Sequence, residues 1–513
     1  MGFFDSRYFL RGKGLRLSVT FCSCTGFLLL GYDQGVMGSI IGADNRFGQD
    51  FNHPDATRQG LITSVYDLGC VLGSIISFFI GEAMGRRKMM LFGASIMIVG
   101  TILLGSSYSL GQLYVGRIVT GLGNGFNSST IPVYQSECAL AAYRGVLLTW
   151  QAVVTILGVV IAYWIGFGTS FTDSSVQWRF PISFQALFAI SLVIECFFLP
   201  ETPRWLIQQG RSEEAAQVLA DLLGGDTTPD SDEVVRERIE IETAVELESR
   251  GGPFRIKELF EGGPIQNFRR MLLSIGINIM QQFTGSNMIN YYAPIVYQET
   301  MGMDRITSLI MAGCTEIVYL IGSLIPLWCV EKFGRRNLLI ASSAGLSFCF
   351  IMVSILLSIG TERCAIGASV FVYLYQLFMG IGWLPVPWYY PAELNTTRLR
   401  SRVQAIGSAF NWMSVFAVVQ ITPIAIQNIG WKTFIIFAIL CAVWIIVIFC
   451  LYPETSGLEL EDIDHIFERP GLTRGVFTTR GKTVEKHAHA RAMHLLEDEK
   501  ASVEEMENGD GDA

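Results

Sequence analysis

Twelve stretches of this chain are each apolar over roughly 20 residues, the length a helix needs to cross the hydrocarbon core of a bilayer. They fall at about 15–38, 60–82, 88–108, 112–138, 145–168 and 179–199, then at about 268–297, 304–330, 336–358, 364–391, 402–424 and 431–452. Only 16% of the 513 residues are charged, against about 25% in soluble domains. So little charge cannot cover a water-facing surface of that size. The chain therefore reads as an all-α membrane protein, with 12 transmembrane helices in two six-helix halves. A soluble enzyme, a nucleic-acid binder and a disulfide-stapled secreted domain are excluded. The eleven cysteines lie mostly in apolar runs, where they act as small hydrophobes.

Five segments follow: an N-terminus (1–14), a first bundle (15–199), a hydrophilic linker with short amphipathic helices (200–267), a second bundle (268–452) and a polar tail (453–513), disordered after about 468. Basic residues set the orientation. The loops on the linker side hold Arg86, Arg87, Lys88, Arg144, Lys332, Arg335, Arg336, Arg398, Arg400 and Arg402, with four more basic residues at the N-terminus. The opposite loops hold six, namely Arg46, Arg58, Arg179, Arg305, Arg363 and Lys432. Both termini and the linker are thus expected in the cytosol. The net charge of −9 gathers largely in linker and tail and signals no partner. His487, His489 and His494 sit among charged tail residues without Cys beside them, so no metal and no cofactor is expected. The sequons at Asn127 and Asn395 fall in a helix and on a cytosolic loop, out of reach of glycosylation.

The halves repeat. Gly-Glu-Ala-Met-Gly-Arg-Arg (81–87) returns as Val-Glu-Lys-Phe-Gly-Arg-Arg (330–336). Pro-Glu-Thr (200–202) returns at 453–455, and Glu137 returns as Glu393. Three matches at offsets of 249, 253 and 256 residues, all near one spacing, mean a duplicated six-helix unit. Duplicated halves suit transport by alternating access, with cargo held near the midplane between them.

A charge at mid-bilayer costs about 2.5–3.5 kcal/mol, so each one needs a reason. Asp33 in the first span and Arg117 in the fourth lie at similar depth and form the cheapest pair. As a unit they read either as a packing bond or as a proton site, in which protonation of Asp33 frees Arg117. Glu316, mid-span 8, reads as an interhelical hydrogen bond or a contact to cargo or proton. Glu195 snorkels at a helix end. A second group is neutral: Gln151 and Thr155 on one helix face, Gln281, Gln282 and Asn287, then Trp388, Asn411 and Trp412. Amides offer donors and acceptors together, as a ring of hydroxyls requires, and indole faces suit the C–H face of a sugar. No basic residue stands among them, which excludes a carboxylated cargo.

With these motifs in view, residues 15–460 resemble the sugar porters of the major facilitator superfamily, particularly fungal members. The resemblance rests on the Gly-x-x-x-Gly-Arg-Arg loops, Gly116-Arg117, Pro132-Val-Tyr-Gln-Ser-Glu137, Pro200-Glu-Thr-Pro-Arg204, Gln281-Gln282 with Asn287, Pro387-Trp388 and Pro453-Glu-Thr. It implies that Gln151, Gln281, Gln282, Asn287, Trp388 and Asn411 contact sugar, with Trp412 lining the cavity. It implies an outer gate at Tyr291 and Tyr292 and a proton-coupling pair at Asp33 and Arg117. It further implies a cytosolic charge network of Glu82, Arg86, Arg87, Glu137, Arg144, Glu201, Arg204, Glu331, Arg335, Arg336, Glu393, Arg402 and Glu454, which closes the inner side in the outward-facing state.

Four positions depart from that pattern. Glu82 stands where Asp is usual, Tyr319 where many relatives carry a sugar-contacting Asn, Leu384 where Gly is usual, and Gly380 where passive animal relatives carry an acid. The expected protein is a plasma-membrane carrier, not an enzyme. It acts as a monomer and imports a hexose or pentose with a proton. A passive sugar facilitator and a glycerol or polyol proton symporter are the alternatives.

Overall fold

The protein is described here by a computed structural model, covering residues 10–41, 45–139, 144–225, 227–250, 255–262, 266–456, 466–467 and 476. The three tail histidines and the expected disorder after 468 fall outside the described residues, apart from Val476. So do the side chains of Arg144 and Glu331.

Among the described residues all regular structure is helical. Spans 1–6 are Lys13–Ile40, Ala56–Met84, Arg86–Gly105, Leu110–Cys138, Arg144–Thr169 and Val176–Phe198. Span 7 is Asn267–Gln282 continued by Ser286–Ile295, and span 8 is Arg305–Leu324 continued by Pro326–Phe333. Span 9 is Arg335–Ile359. Span 10 is Glu362–Phe378 continued through Met379–Trp383 to Val386–Leu394, and spans 11 and 12 are Thr397–Ile429 and Lys432–Leu451. Ten of these are long and apolar enough to cross a membrane. The other two are spans 4 and 7. Span 4 has the length (29 residues) but carries Arg117, Asn124, Asn127 and Glu137. Span 7 is broken at Phe283–Gly285, where Gly285 adopts φ +93°. Spans 8 and 10 break for a different reason: each carries a proline, Pro326 and Pro385, whose missing N–H cannot continue the ladder.

Within the first half, small residues let backbones touch, as helix association in lipid requires. A Cβ on Gly121 or Gly125 of span 4 would overlap the carbonyls of Tyr66 and Cys70 in span 2. Gly69 and Gly73 meet the Ile118 and Leu122 carbonyls in return. Overpacking of this kind costs about 1–3 kcal/mol. Gly121→Val is therefore expected to lower the melting temperature of the purified protein and its folded yield. An unchanged melting curve would contradict this packing.

The halves meet through span 2 against span 11 and span 5 against span 8. The linker divides its allegiance. Its helix Ser212–Leu223 is tied to the N-terminal segment by an Arg11–Asp221 ion pair at 2.7 Å and by Arg16 donating to the Leu222 carbonyl at 2.6 Å. Its last turn, Ile256–Phe260, is tied to span 11 by Glu258–Arg398 at 2.7 Å. The Arg398 guanidinium holds the Glu258 carboxyl below the usual carboxylate range.

Candidate functional site

Both copies of the Gly-Arg-Arg loop turn on a glycine with φ near +85°, Gly85 (+86°) and Gly334 (+84°). Each glycine is followed at once by a helix whose first N–H groups have no carbonyl within the helix to bond. In the first half Glu201 accepts from the backbone N–H of Arg86 at 3.0 Å and of Arg87 at 3.2 Å. In the second half Glu454 does the same for Arg335 at 2.9 Å and Arg336 at 3.1 Å. A carboxylate is well placed there, since the amino end of a helix carries partial positive charge. The repeated Pro-Glu-Thr motif is therefore a helix cap delivered from a distant segment. Tyr134 and Tyr390 add a further repeat, each donating its hydroxyl to the carbonyl of the proline in that motif, at 2.9 and 2.5 Å. Loss of a cap costs about 0.5–2 kcal/mol. Glu201→Ala and Glu454→Ala are accordingly expected to lower thermal stability by similar amounts. A large effect from one and none from the other would contradict the equivalence.

The remaining network residues pair mostly inside their own half. Arg86 meets Glu137 at 3.1 Å, and Arg335 meets Glu393 at 3.0 Å. Arg87 donates to the Leu199 carbonyl and Arg336 to that of Phe449. Across the halves, Arg402 of span 11 meets Glu82 of span 2 at 3.1 Å. In this conformation the network does not seal its end of the molecule: a cavity of about 790 Å³ reaches it. Its mouth is lined by Glu82, Arg86, Glu137, Arg204, Glu393 and Arg402, with Ile241 and Val245 of the linker.

At its deep end the cavity brings together Gln151, Gln281, Gln282, Asn287, Trp388 and Asn411, from four helices of both halves. Gln282 is the hub. Its amide donates to Asn411 at 2.6 Å, and its carbonyl oxygen accepts from Asn287 at 2.6 Å. Gln281 is anchored behind it by a bond to the Trp383 carbonyl at 2.6 Å. Across the void, the buried Nε2 of Gln151 has no protein partner. The break at Phe283–Gly285 matters here, because it turns Asn287 back toward Gln282, five residues earlier. Trp412 lies elsewhere: it is fully buried, outside the lining, and packs edge-on to Tyr66 at 6.2 Å. Tyr319 and Leu384 do line the void. Gly380 is packed against the span 8 backbone at Gly322, where a side chain has no room. Gln34, Thr149 and Asn290 also line the cavity. Sequence reading passed over them, although a polar side chain inside an apolar run is the signal.

The far end is shut. Tyr291 and Tyr292 are buried, and the Tyr292 hydroxyl donates to the Val419 carbonyl of span 11 at 3.0 Å. Tyr163 of span 5 donates to the Asn290 carbonyl at 2.6 Å, and Ser64 of span 2 donates to Gln420 of span 11 at 2.9 Å. Just beneath, Asp33 and Arg117 form a fully buried pair at 2.7 Å. The guanidinium also donates to the Thr63 carbonyl at 3.2 Å and lies 4.4 Å from the Tyr66 ring centroid. Asp67, one turn after Thr63, is equally buried and was not anticipated from sequence, despite being a charge within a span. Glu316 is buried as well and accepts from Gln376 at 3.4 Å. Gln376 donates in turn to Asn290 at 2.7 Å, which makes this a chain of interhelical bonds ending at the cavity.

Two repeated six-helix bundles around a cavity lined by both define a membrane carrier of the major facilitator fold, and solved structures agree. Over 87% of this chain and 99% of the other, it matches the partially occluded, inward-open conformation of the xylose transporter XylE from E. coli with a TM-score of 0.72 at 20% identity. The chain belongs to the sugar (and other) transporter family, whose model matches residues 19–467. It is 39% identical to the sugar transporter STL1 of Saccharomyces cerevisiae, over 90% of this chain and 83% of that protein. It is 39% identical to the MFS-type transporter oryC of Aspergillus oryzae, over 89% and 86%. A high-affinity glucose transporter of Kluyveromyces lactis is 31% identical over 88% and 84%. These relatives are transporters, not enzymes.

Proposed function

We propose that this protein imports a monosaccharide, a hexose or pentose, across the plasma membrane together with a proton, working as a monomer with both termini in the cytosol. The observation that carries the reading is the convergence of Gln151, Gln282, Asn287 and Asn411 with Trp388 on one void. Hydroxyls that leave water must recover their hydrogen bonds. Amides supply donor and acceptor at each position, and the Trp388 indole offers an apolar face to a pyranose ring. The names of the yeast relatives support a sugar as cargo.

Under this reading the structure is the inward-facing state. Sugar leaves past Glu82, Arg86 and Arg402 while the tyrosine side stays closed. Asp33 and Arg117 are the coupling pair. A proton on Asp33 removes the charge that holds Arg117, and the gate above them is then free to rearrange. Removing both groups from water is expensive, so the pair exists in only two comfortable conditions: bonded, or with the acid neutralised.

The experiment is uptake of labelled glucose, xylose and glycerol in cells lacking their own transporters, with and without a protonophore. Accumulation of a sugar that collapses with the protonophore is the expected result. Uptake undiminished by the protonophore, without accumulation, means a facilitator. Uptake of glycerol alone means a polyol carrier.

A further inference from the structure

Span 2 carries an aspartate that the coupling pair leaves unused. Asp67 is 0% exposed, as are Asp33 and Arg117. Neither of its carboxylate oxygens has a hydrogen-bond partner. It lies on the same helix face as Thr63, one turn away, and the Thr63 carbonyl accepts from Arg117. The surrounding backbones touch: Gly69 meets the Ile118 carbonyl, and Gly121 meets that of Tyr66. Arg117 of span 4 reaches this stretch of span 2 directly, at the Thr63 carbonyl and over the Tyr66 ring, and Asp33 from span 1, Tyr291 and Tyr292 from span 7 and Cys70 on its own helix are close enough for charge to act between them and Asp67. The site therefore holds two carboxyls and one guanidinium, with no water-facing atom.

Two ionised carboxylates and one guanidinium would leave one uncompensated negative charge in a dry site, which is costly and favours keeping one proton on the pair until alkaline buffer removes it. Arg117 is bonded to Asp33 at 2.7 Å. Asp67 has nothing to balance it. We propose that Asp67 and Asp33 share one transported proton across Arg117, with Asp67 carrying it in this conformation. When the guanidinium turns from Asp33 to Asp67, the proton passes to Asp33, because the carboxylate released by Arg117 is the one that must be neutral. Paired carboxyls titrate as a unit, so the site binds one proton, not two. Tyr291 and Tyr292 lie close enough for the charge on Asp67 to act on them, and Tyr292 holds the gate through the Val419 carbonyl. That influence links proton position to the gate. The proposal rests on the symport reading for its cargo, but not for its proton.

The test separates the two. Full-length protein in lipid vesicles is followed by infrared difference spectroscopy between acidic and alkaline buffer, with no sugar present. The wild type is expected to lose a buried carboxylic-acid band as pH rises, and Glu316→Gln to keep that change. Asp67→Asn is expected to abolish it, since Asp33 and Arg117 then balance alone. The same variant is expected to lose proton-driven accumulation of D-glucose in the vesicles. A gradient of one pH unit drives about tenfold accumulation at one proton per sugar, so the expected loss is about tenfold. Asp67→Glu retains the band with its midpoint displaced upward, since Glu titrates higher than Asp. If Asp67→Asn does not fold, that displacement decides.

A full-sized difference band in Asp67→Asn, or an unmoved midpoint in Asp67→Glu, overturns the proposal. A wild type that ignores glucose while Asp67→Asn still loses the band removes the sugar reading and leaves this inference standing.

Discussion

Asp33→Asn is expected to abolish accumulation of sugar while exchange of labelled for unlabelled sugar across the membrane persists. The change removes one negative charge and almost no volume, so the packing of spans 1 and 4 survives. Arg117 keeps its bond to the Thr63 carbonyl and its place over the Tyr66 ring. It also has Asp67 at hand, so the buried guanidinium is not stranded. What disappears is the group whose charge the proton cancels. Moving one positive charge inward with each sugar is worth about 2.3 kcal/mol per 100 mV, or about fifty-fold accumulation. In the variant, internal sugar is expected to stop at the external level. Measuring the steady-state ratio and counterflow in the same vesicles checks both halves of the statement. Accumulation at the wild-type level would remove Asp33 from the coupling step.

Gln282→Ala is expected to reduce sugar uptake at low concentration by about 100-fold. The reasoning is local. Gln282 bonds Asn411 of span 11 at 2.6 Å and Asn287 of span 7 at 2.6 Å. Truncation strands two buried amide partners, and each stranded group costs about 1–3 kcal/mol. The cluster then loses its preset geometry, and cargo must arrange the amides itself. The loss should appear mainly as a raised KM, since the residue holds the ground state and the transport intermediate alike. Uptake within error of the wild type would remove the amide cluster from the cargo site. Gln281→Ala makes a useful companion, because its amide is tied to the Trp383 carbonyl behind the cavity wall.

Some of this was legible in the linear chain for a simple reason: lipid makes strong local demands. A span must be apolar along its length, so ten of the helices announce themselves by hydropathy. The break in span 7 was legible as well, as Gly285 standing between Gln282 and Asn287, and the helix is interrupted there, at Phe283–Gly285. Polar residues in spans are rare, and six of the seven named for the cargo site line one cavity. Trp412 is the exception. An indole one residue after a cavity-lining amide faces about 100° away on a helix, and it packs on Tyr66 instead. Asp67 was just as visible as Asp33, yet a lone acid has no meaning until a partner is known. The groups that give it meaning, Asp33 and Arg117, stand on other helices.

Glu201 and Glu454 show the same limit from the other direction. Their repeat was plain, and membership of a cytosolic charge network was the expected role. The coordinates give backbone N–H groups as their partners.

By itself the chain determined that it spans a membrane many times, that its halves are copies, and which polar groups are buried at a cost. These follow from composition and periodicity, because the transfer of each side chain into lipid is nearly a property of that residue alone. Tertiary structure alone decided which buried groups meet: Gln282 with Asn411, Arg117 with Asp33 and not Asp67, and a cavity open at one end and shut at the other. Those choices rest on distances between helices far apart in the chain, and hydrogen bonds and ion pairs change greatly over an ångström or two.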